Sequence, residues 1–503
     1  MKRSKHNLSN TKLLSLDAGE LVPIGLTEVL PGDSIQQATS ALVRASPLLA
    51  PVMHPVHCRI HHWFVPNRLL WEDWEDFITG GPDGMDASVF PTITMPGGSG
   101  ATVGSLADYL GIPTGVASLE VSALPFRAYN MIWNEYYRDQ DLQTELAIDL
   151  GSGPDSTTGT GIQNCAWEKD YFTSARPWEQ KGPSITVPLG TTAPVSGIGF
   201  TGGATGLAHS VADVRDSDGD TETWADAWQD TTTASSEPRL NVRATGPGAA
   251  DTPDVFADLS NASAVTVNVL REALALQRYE EARARYGSRY SEYLAYLGVN
   301  SSDARLQRPE YLGGGKQTIQ FSEVLQTAEG SDPVGELRGH GIGAMRSNRY
   351  RRFFEEHGVI ISLVSIRPKT IYANGLHRTW NRRTKEDFWQ RELEFIGQQE
   401  ILNKELYAAH SSPDGVFGYQ DRYDEYRRIE SSIAGEFRES TLNFWHMARI
   451  FGSDPALNAD FIKCVPTERT FAVPSQDVYY MMAKHSIQAR RLITRSGGYS
   501  KTF

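Results

Sequence analysis

The chain has 503 residues, with 61 acidic side chains against 48 basic ones, a formal net charge of -13, 45 glycines, 26 prolines and three cysteines. That balance excludes a protein that coats nucleic acid over its whole surface, while leaving room for local basic patches. Cys58, Cys165 and Cys464 lie too far apart for a full set of disulfides and read as buried thiols in a reducing compartment. Glycine and proline are scattered, which suits short strands joined by long loops. The basic start, MKRSKHNLSN, has no apolar h-region, and no run approaches the roughly 18 apolar residues of a membrane span. The expectation is a soluble product made in the cytoplasm.

Residues 1–16 carry Lys2, Arg3, Lys5 and Lys12 and no acid, and read as a basic N-terminal arm. From Gly19 to Pro51 turn formers separate short extended pieces that precede a stronger strand. In HCRIHHWFVPNRLLWEDWEDFITG (57–80), Ile60, His62 and Phe64 fall on one face and His61, Trp63 and Val65 on the other, until Pro66 closes the strand. Asn67 then caps a predicted helix with Leu70, Trp71, Trp74, Phe77 and Ile78 at helical spacing and Gly80 as its stop. LPFRAYNMIWNEYYRDQ (124–140) predicts a second helix, with Tyr129, Ile132, Trp133 and Tyr136 as a core or interface stripe.

Between about Thr191 and Ser263 eleven acids face three arginines, a local charge of -8, and Gly, Ala, Thr, Ser and Asp dominate. Composition alone allows a disordered linker here. VNVLREALALQRYEEARARYG (267–287) is the strongest helix, ended by Gly287, with its arginines balanced by glutamates. Strands are expected at 317–325 and 357–366, the latter, VIISLVSI, buried on both faces. Arg346, Arg349, Arg351 and Arg352 cluster with Tyr350, Phe353 and Phe354 upstream of that strand. Arg367, Lys369, Arg378, Arg382 and Arg383 follow it with Tyr372 and Trp380. Basic residues interleaved with aromatics suit single-stranded nucleic acid through charge and stacking, and salt bridges between subunits are the competing use. KCVPTERTFAV (463–473) reads as a further strand, and from Lys484 a tail with Arg490, Arg491 and Arg495 carries no acid.

Several of these runs resemble, in the same order, segments of the major capsid proteins of microviruses, small single-stranded DNA phages, especially those of the gokushovirus type. They are HHWFVPNRLLWEDWEDF, LPFRAYNMIWNEYYRDQ, KDYFTSARPWEQKG (169–182), RYGSRYSEYLAYLGVNSSDARLQRPEYLGGG (285–315), EHGVIISLVSIRP (356–368) and FGYQDRYDEYRR (417–428). The resemblance spans most of the chain outside roughly 190–263 and the last dozen residues. It implies an all-β fold, an eight-stranded antiparallel jelly roll with long, partly helical insertion loops. It also implies a coat protein that assembles in sixty copies into a T=1 icosahedral shell around circular single-stranded DNA.

The organisation expected from this likeness is an arm at 1–16, jelly-roll core at 17–189 and 264–483, an acidic insertion at 190–263 and a basic tail at 484–503. The insertion falls where such proteins carry a protrusion at the three-fold axes, and Asp216, Asp218, Asp220, Trp224 and Trp228 are its expected host-facing residues. Lys2, Arg3, Lys5, Lys12, Arg349, Arg351, Arg352, Arg490, Arg491 and Arg495 are expected to face the DNA. Expected partners are other copies of the chain, the packaged strand, a small basic DNA-binding virion protein, a pilot protein and a host surface receptor. The chain is expected in the virion, assembled in the host bacterial cytoplasm, with no membrane insertion.

A search for chemistry gives no catalytic, cofactor or metal residue. GGGKQ (313–317) and GHGIG (339–343) lack the phosphate-loop and dinucleotide patterns and read as turns. DSDGDTE (216–222) departs from a calcium loop in the place of its glycine. His57 and His61 face away from Cys58 and His62 on a strand, so these groups do not converge on a metal. The alternative from another class is a jelly-roll protein that binds or hydrolyses glycans, which needs paired carboxylates in a cleft.

Overall fold

A computed structural model describes residues 3–83, 85–183, 185, 195–196, 214–215, 221–222, 256–257, 267–286, 295–296, 298, 307–325 and 337–493. The chain divides into two compact units, residues 1–179 with 283–503, and residues 180–282.

The larger unit is built on one ten-stranded antiparallel sheet. Its strands are β1 (Ser4–Asn7), β2 (Asn10–Leu16), β3 (Val22–Val29), β4 (Ser34–Ala45), β5 (Val56–Pro66), β6 (Glu310–Leu325), β7 (Leu337–Arg346), β8 (Tyr350–Phe353), β9 (Gly358–Pro368) and β10 (Tyr479–Arg491). The hydrogen-bonded path runs β1-β10-β4-β7-β6-β5-β9-β3, with β8 paired to β4 and β2 to β10. That eight-strand path, curled on itself, agrees with the expected jelly roll. β6 makes the curl: residues 310–319 pair with β5, while 320–325 pair with β7. One strand thus belongs to both halves, and the halves enclose a core of Val22, Ile24, Val43, Ile60, Val364, Tyr479 and Met481, continued by Ile35, Phe64, Ile360 and Ile487.

β9 shows why VIISLVSI carries no polar alternation. Ile360, Val364 and Ile366 enter the core between the sheet halves, and Val359, Ile361 and Leu363 enter a second cluster outside. That cluster is the helical cover. It contains α1 (Leu124–Tyr136), in which Tyr129, Ile132 and Trp133 of the predicted stripe are buried with Phe126, whereas Tyr136 is 38 % exposed and donates its Oη to the Pro309 carbonyl at 2.6 Å. Polar anchors fix the cover: Tyr129 Oη donates to the Leu21 carbonyl at 2.8 Å and Trp133 Nε1 to the Asn164 carbonyl at 3.0 Å. Arg127 and Asp155 form a fully buried ion pair at 2.9 Å, and the same guanidinium binds the carbonyls of Leu70 and Gly151. Such a pair adds little net stability when intact but costs about 3–5 kcal/mol when one member is removed.

Sequence and structure part at several places. The helix expected after Asn67 is two short helices, Asn67–Leu70 and Trp74–Thr79, capped by Pro66 and Asp73. Between them Trp71 is extended, its ring fully buried and its Nε1 donating to Ser152 at 2.8 Å. Burying that indole outweighs continuing the helix, and Phe77 and Ile78 are left exposed. Gly80 does stop the second helix, at φ 87°.

GGGKQ and GHGIG are not turns but lie within β6 and β7. Gly314 is required because the Ile60 carbonyl of β5 occupies the place of a side chain. KCVPTERTFAV is irregular, following a short helix at Ala459–Ile462. Residues 4–7 and 10–16, read as part of an arm, and 484–491, read as part of a tail, lie in sheet strands. β10 alternates strictly, with Tyr479, Met481, Ala483, His485, Ile487 and Ala489 buried and the residues between them exposed.

In the smaller unit Val195–Ser196 pairs with Phe256–Ala257, and Val214–Arg215 with Thr221–Glu222. The strong helix is present as α2 (Val267–Tyr286), largely exposed; its predicted stop, Gly287, lies outside the described residues.

Candidate nucleic-acid interface

The outer face of the β1/β2-β10-β4-β7/β8 half has no helical cover among the described residues, and pairing registers place its side chains in rows. Lys5, Arg490, Ser34 and Phe353 form one, and Asn7, Gln488, Gln36 and Arg351 the next. Thr11, Lys484, Ser40 and Arg346 follow, then Leu13, Met482, Leu42 and Ala344, then Ser15, Tyr480, Arg44 and Ile342. The ten residue steps along β10 from Tyr480 to Arg490 span about 34 Å. Six cations stand in these rows, all exposed, and no position in them is acidic. None of the six has an ion pair with a described residue. In a chain of charge -13, their concentration makes a local field that attracts anions.

Aromatic groups accompany the charges. Phe353 is 50 % exposed, with the Arg3 guanidinium 5.3 Å from its ring centroid, and Tyr480 is 43 % exposed. Arg3 is held there by the Gly32 carbonyl and Ser34 Oγ, both at 3.0 Å. Cations with exposed rings on one surface match what a sequence-tolerant single-strand site uses, phosphate attraction plus base stacking. Toward the Leu13 end the face turns apolar.

Of the expected DNA-facing residues, the structure gathers Arg3, Lys5, Arg351 and Arg490 here, with Arg349 exposed in the adjoining turn. Three others are engaged elsewhere. Lys12 points to the opposite side of the sheet, where its Nζ donates to the carbonyls of Pro23 and Tyr109; burial lowers its pKa to about 8 despite the nearby Asp108. Arg352 pairs with Glu310 at 3.0 Å, and Arg491 with Asp33 at 3.0 Å and the Glu28 carbonyl. Lys2 and Arg495, and the expected protrusion residues Asp216, Asp218, Asp220, Trp224 and Trp228, lie outside the described residues.

Arg44, Arg346 and Lys484 complete the face; Arg346 and Lys484 stand in basic groups noted in the sequence but outside the expected DNA-facing set, and Arg44 stands in neither. Their signal is period two: each falls out of phase with its strand's buried positions, as Arg44 does with Val43 and Ala41. The basic group downstream of β9 is mostly spent inside the chain, Arg378 on Glu405 at 2.9 Å and Arg382 on Glu425 at 3.2 Å. Tyr350, Phe354 and Tyr372 are buried.

Beneath the face runs a buried polar network. His62 hydrogen-bonds Ser362 at 2.8 Å and Ser347 at 3.1 Å, and His485 bonds Thr39 at 2.8 Å and the Ile24 carbonyl at 2.9 Å. Burial, then the proximity of His485, lowers the His62 pKa to about 3. His61, on the other side of β5, bonds Tyr137 at 2.5 Å, so the histidines of this strand serve opposite faces.

The family described as capsid protein (F protein) matches residues 1–497. Capsid protein VP1 of Bdellovibrio phage phiMH2K is 37% identical over 488 residues, covering 94% of this chain and 90% of its own. Capsid protein VP1 of Chlamydia phage 1 is 34% identical over 558 residues, covering 95% and 92%. That of Spiroplasma virus 4 is 32% identical over 504 residues, covering 94% and 90%.

Proposed function

The chain belongs to the phage capsid protein (F protein) family, and from that premise we propose that sixty copies close into a T=1 icosahedral shell around circular single-stranded DNA. As a major capsid protein it is a structural component of the virion and not an enzyme, which sets aside the glycan-hydrolysing alternative. No helix among the described residues is long and apolar enough to cross a membrane.

In this reading the uncovered half-sheet faces the packaged strand. The observation that carries it is the set of six cations in register on a surface without acids, none in an ion pair among the described residues. Interactions of this kind hold phosphates without reading sequence, so one face serves any genome. The remaining basic virion partner and the pilot protein would meet the shell from inside, and assembly would take place in the host cytoplasm. Replacing Arg346, Lys484 and Arg490 together by Gln should leave closed shells in electron micrographs while nuclease-protected DNA falls. Full DNA content in that variant would mean that the genome lies against some other surface.

Residues 190–263 would form the outward protrusion that meets the host receptor. In support, Val195–Ser196 pairs with Phe256–Ala257, so the chain between them leaves and returns at one point. Deleting 195–260 should permit shell formation and impair adsorption, and loss of shells would make the segment part of the container instead.

A further inference from the structure

On the other half of the sheet, where the helical cover stops, the middle of β5, β6 and β9 floors an open cavity of about 600 Å³. Registers set Arg59 between Lys316 and Ser365, and Arg367 beside His57. Six cationic side chains line the cavity against three carboxylates, a net charge of +3. Two of those carboxylates are already taken: Asp141 by Arg176 at 2.9 Å, Asp139 by Lys169 at 2.5 Å.

Glu168 is left to serve the floor alone, 2.9 Å from Lys316 and 3.9 Å from Arg59. Burial opposes its ionisation, but the hydrogen bond and charge of Lys316, with Arg367, outweigh burial and hold its pKa low. Arg367 donates to the Ala166 carbonyl at 2.5 Å and has no carboxylate within 4.0 Å among the described residues. Arg138, on the wall, has a buried Nε with no hydrogen-bond partner. Three cations on one carboxylate, in a concave and partly buried site, leave donors and charge that an anion would satisfy.

We propose that this cavity binds a multivalent oxyanion of the phosphate class, held by Arg59, Lys316 and Arg367, with Glu168 as its internal competitor. The planar guanidinium forks match the paired oxygens of a phosphate, and the cavity has room for a diphosphate or a single nucleotide. The site is separate from the uncovered half-sheet and does not rest on the role assigned to that face.

Calorimetric titration of the purified full chain with inorganic pyrophosphate, at fixed ionic strength, tests this. One pyrophosphate per chain is expected, with Arg367→Gln weakening binding at least tenfold and Glu168→Gln tightening it several-fold. Lys316→Gln, at an exposed strand position, repeats the first test should Arg367→Gln fail to fold. Lys385→Gln, at an exposed lysine that does not line this cavity, should leave pyrophosphate affinity unchanged. Competition by a short oligothymidylate would identify the source as a nucleic-acid backbone, and its absence a free phosphate compound. No stoichiometric binding, equal affinity in the arginine or lysine variant, or weaker binding in Glu168→Gln would each overturn the proposal; the last would mean that Glu168 only holds the floor in place.

Discussion

The two outer faces of the curled sheet are made of the same kind of strand and meet opposite fates. Over β5 and β9, Trp63, Val65, Val359, Ile361 and Leu363 are roofed by α1 and the loops around it, and buried hydrogen bonds from Tyr129, Trp133 and Arg127 fasten the roof. Over β10 and β4 the outward residues are Lys484, Ser486, Gln488, Arg490, Ser34, Gln36 and Ser40, and no described element covers them. The comparison teaches that the cover follows the balance of each face rather than any single residue: adjacent strands whose outward residues are nearly all large and apolar are roofed, whereas a mainly polar and charged face stays open even with Leu13, Met482 and Ile342 exposed at one end.

Removing the roof's fastening is the sharpest way to break that contrast. Arg127→Ala leaves Asp155 buried without its partner and should cost about 3–5 kcal/mol in denaturant unfolding of disassembled subunits. A loss below about 1 kcal/mol would mean that water or a neighbour reaches Asp155 and that the cover is looser than its packing implies.

Acid probes the layer between the faces. His62 has its pKa depressed to about 3 against an unfolded value near 6.5, so only the unfolded chain takes up this proton in between. Stability is therefore full above about pH 6.5 and falls as pH drops toward 3, by on the order of 3 kcal/mol at pH 4. His54 and His61, each lowered to about 4 chiefly by burial, act in the same direction. Unfolding of His62→Gln at several pH values should show a shallower acid slope than the parent chain, and equal slopes would place the acid sensitivity elsewhere.

The open face should respond in binding rather than stability. Removing one cation that neutralises a phosphate lowers the salt dependence of single-strand affinity by about 0.7 in logarithmic slope, so Arg346→Gln with Lys484→Gln and Arg490→Gln should reduce it by about 2. Oligonucleotide titrations at several salt concentrations measure this. Arg490→Gln and Arg491→Gln make a finer pair. The first removes an exposed cation and should change stability by less than about 0.5 kcal/mol, whereas the second strands the buried Asp33 and should cost more.

The roofed half was the more legible in sequence. VIISLVSI and the Tyr129–Trp133 stripe announce burial through plain apolar content, and Gly80 announces a stop. The open half was harder because its buried positions include small and polar residues. In YYMMAKHSIQARR the inward series contains two alanines and His485, so the basic outward series dominates the impression and suggests a loose tail. The individual cations needed register knowledge. Arg490 and Arg491 are neighbours in sequence, yet one is exposed on the face and the other is paired with Asp33. Whether a glycine run makes a turn or a strand depended on a carbonyl from β5, about 250 residues away in the chain, which no local pattern records.

β10 lies between β1 and β4 in the ladder, with Lys5 opposite Arg490 and Thr39 opposite His485. Opening strands must therefore wait for a closing one, and at a synthesis rate of about 5–20 residues per second that delay lasts on the order of half a minute or more. Until then the ribosome holds a polypeptide whose basic surface has no central rib. A chain that stops short of β10 therefore lacks the strand that joins β1 and β2 to β4, so the open basic face is the last part of this sheet to be completed.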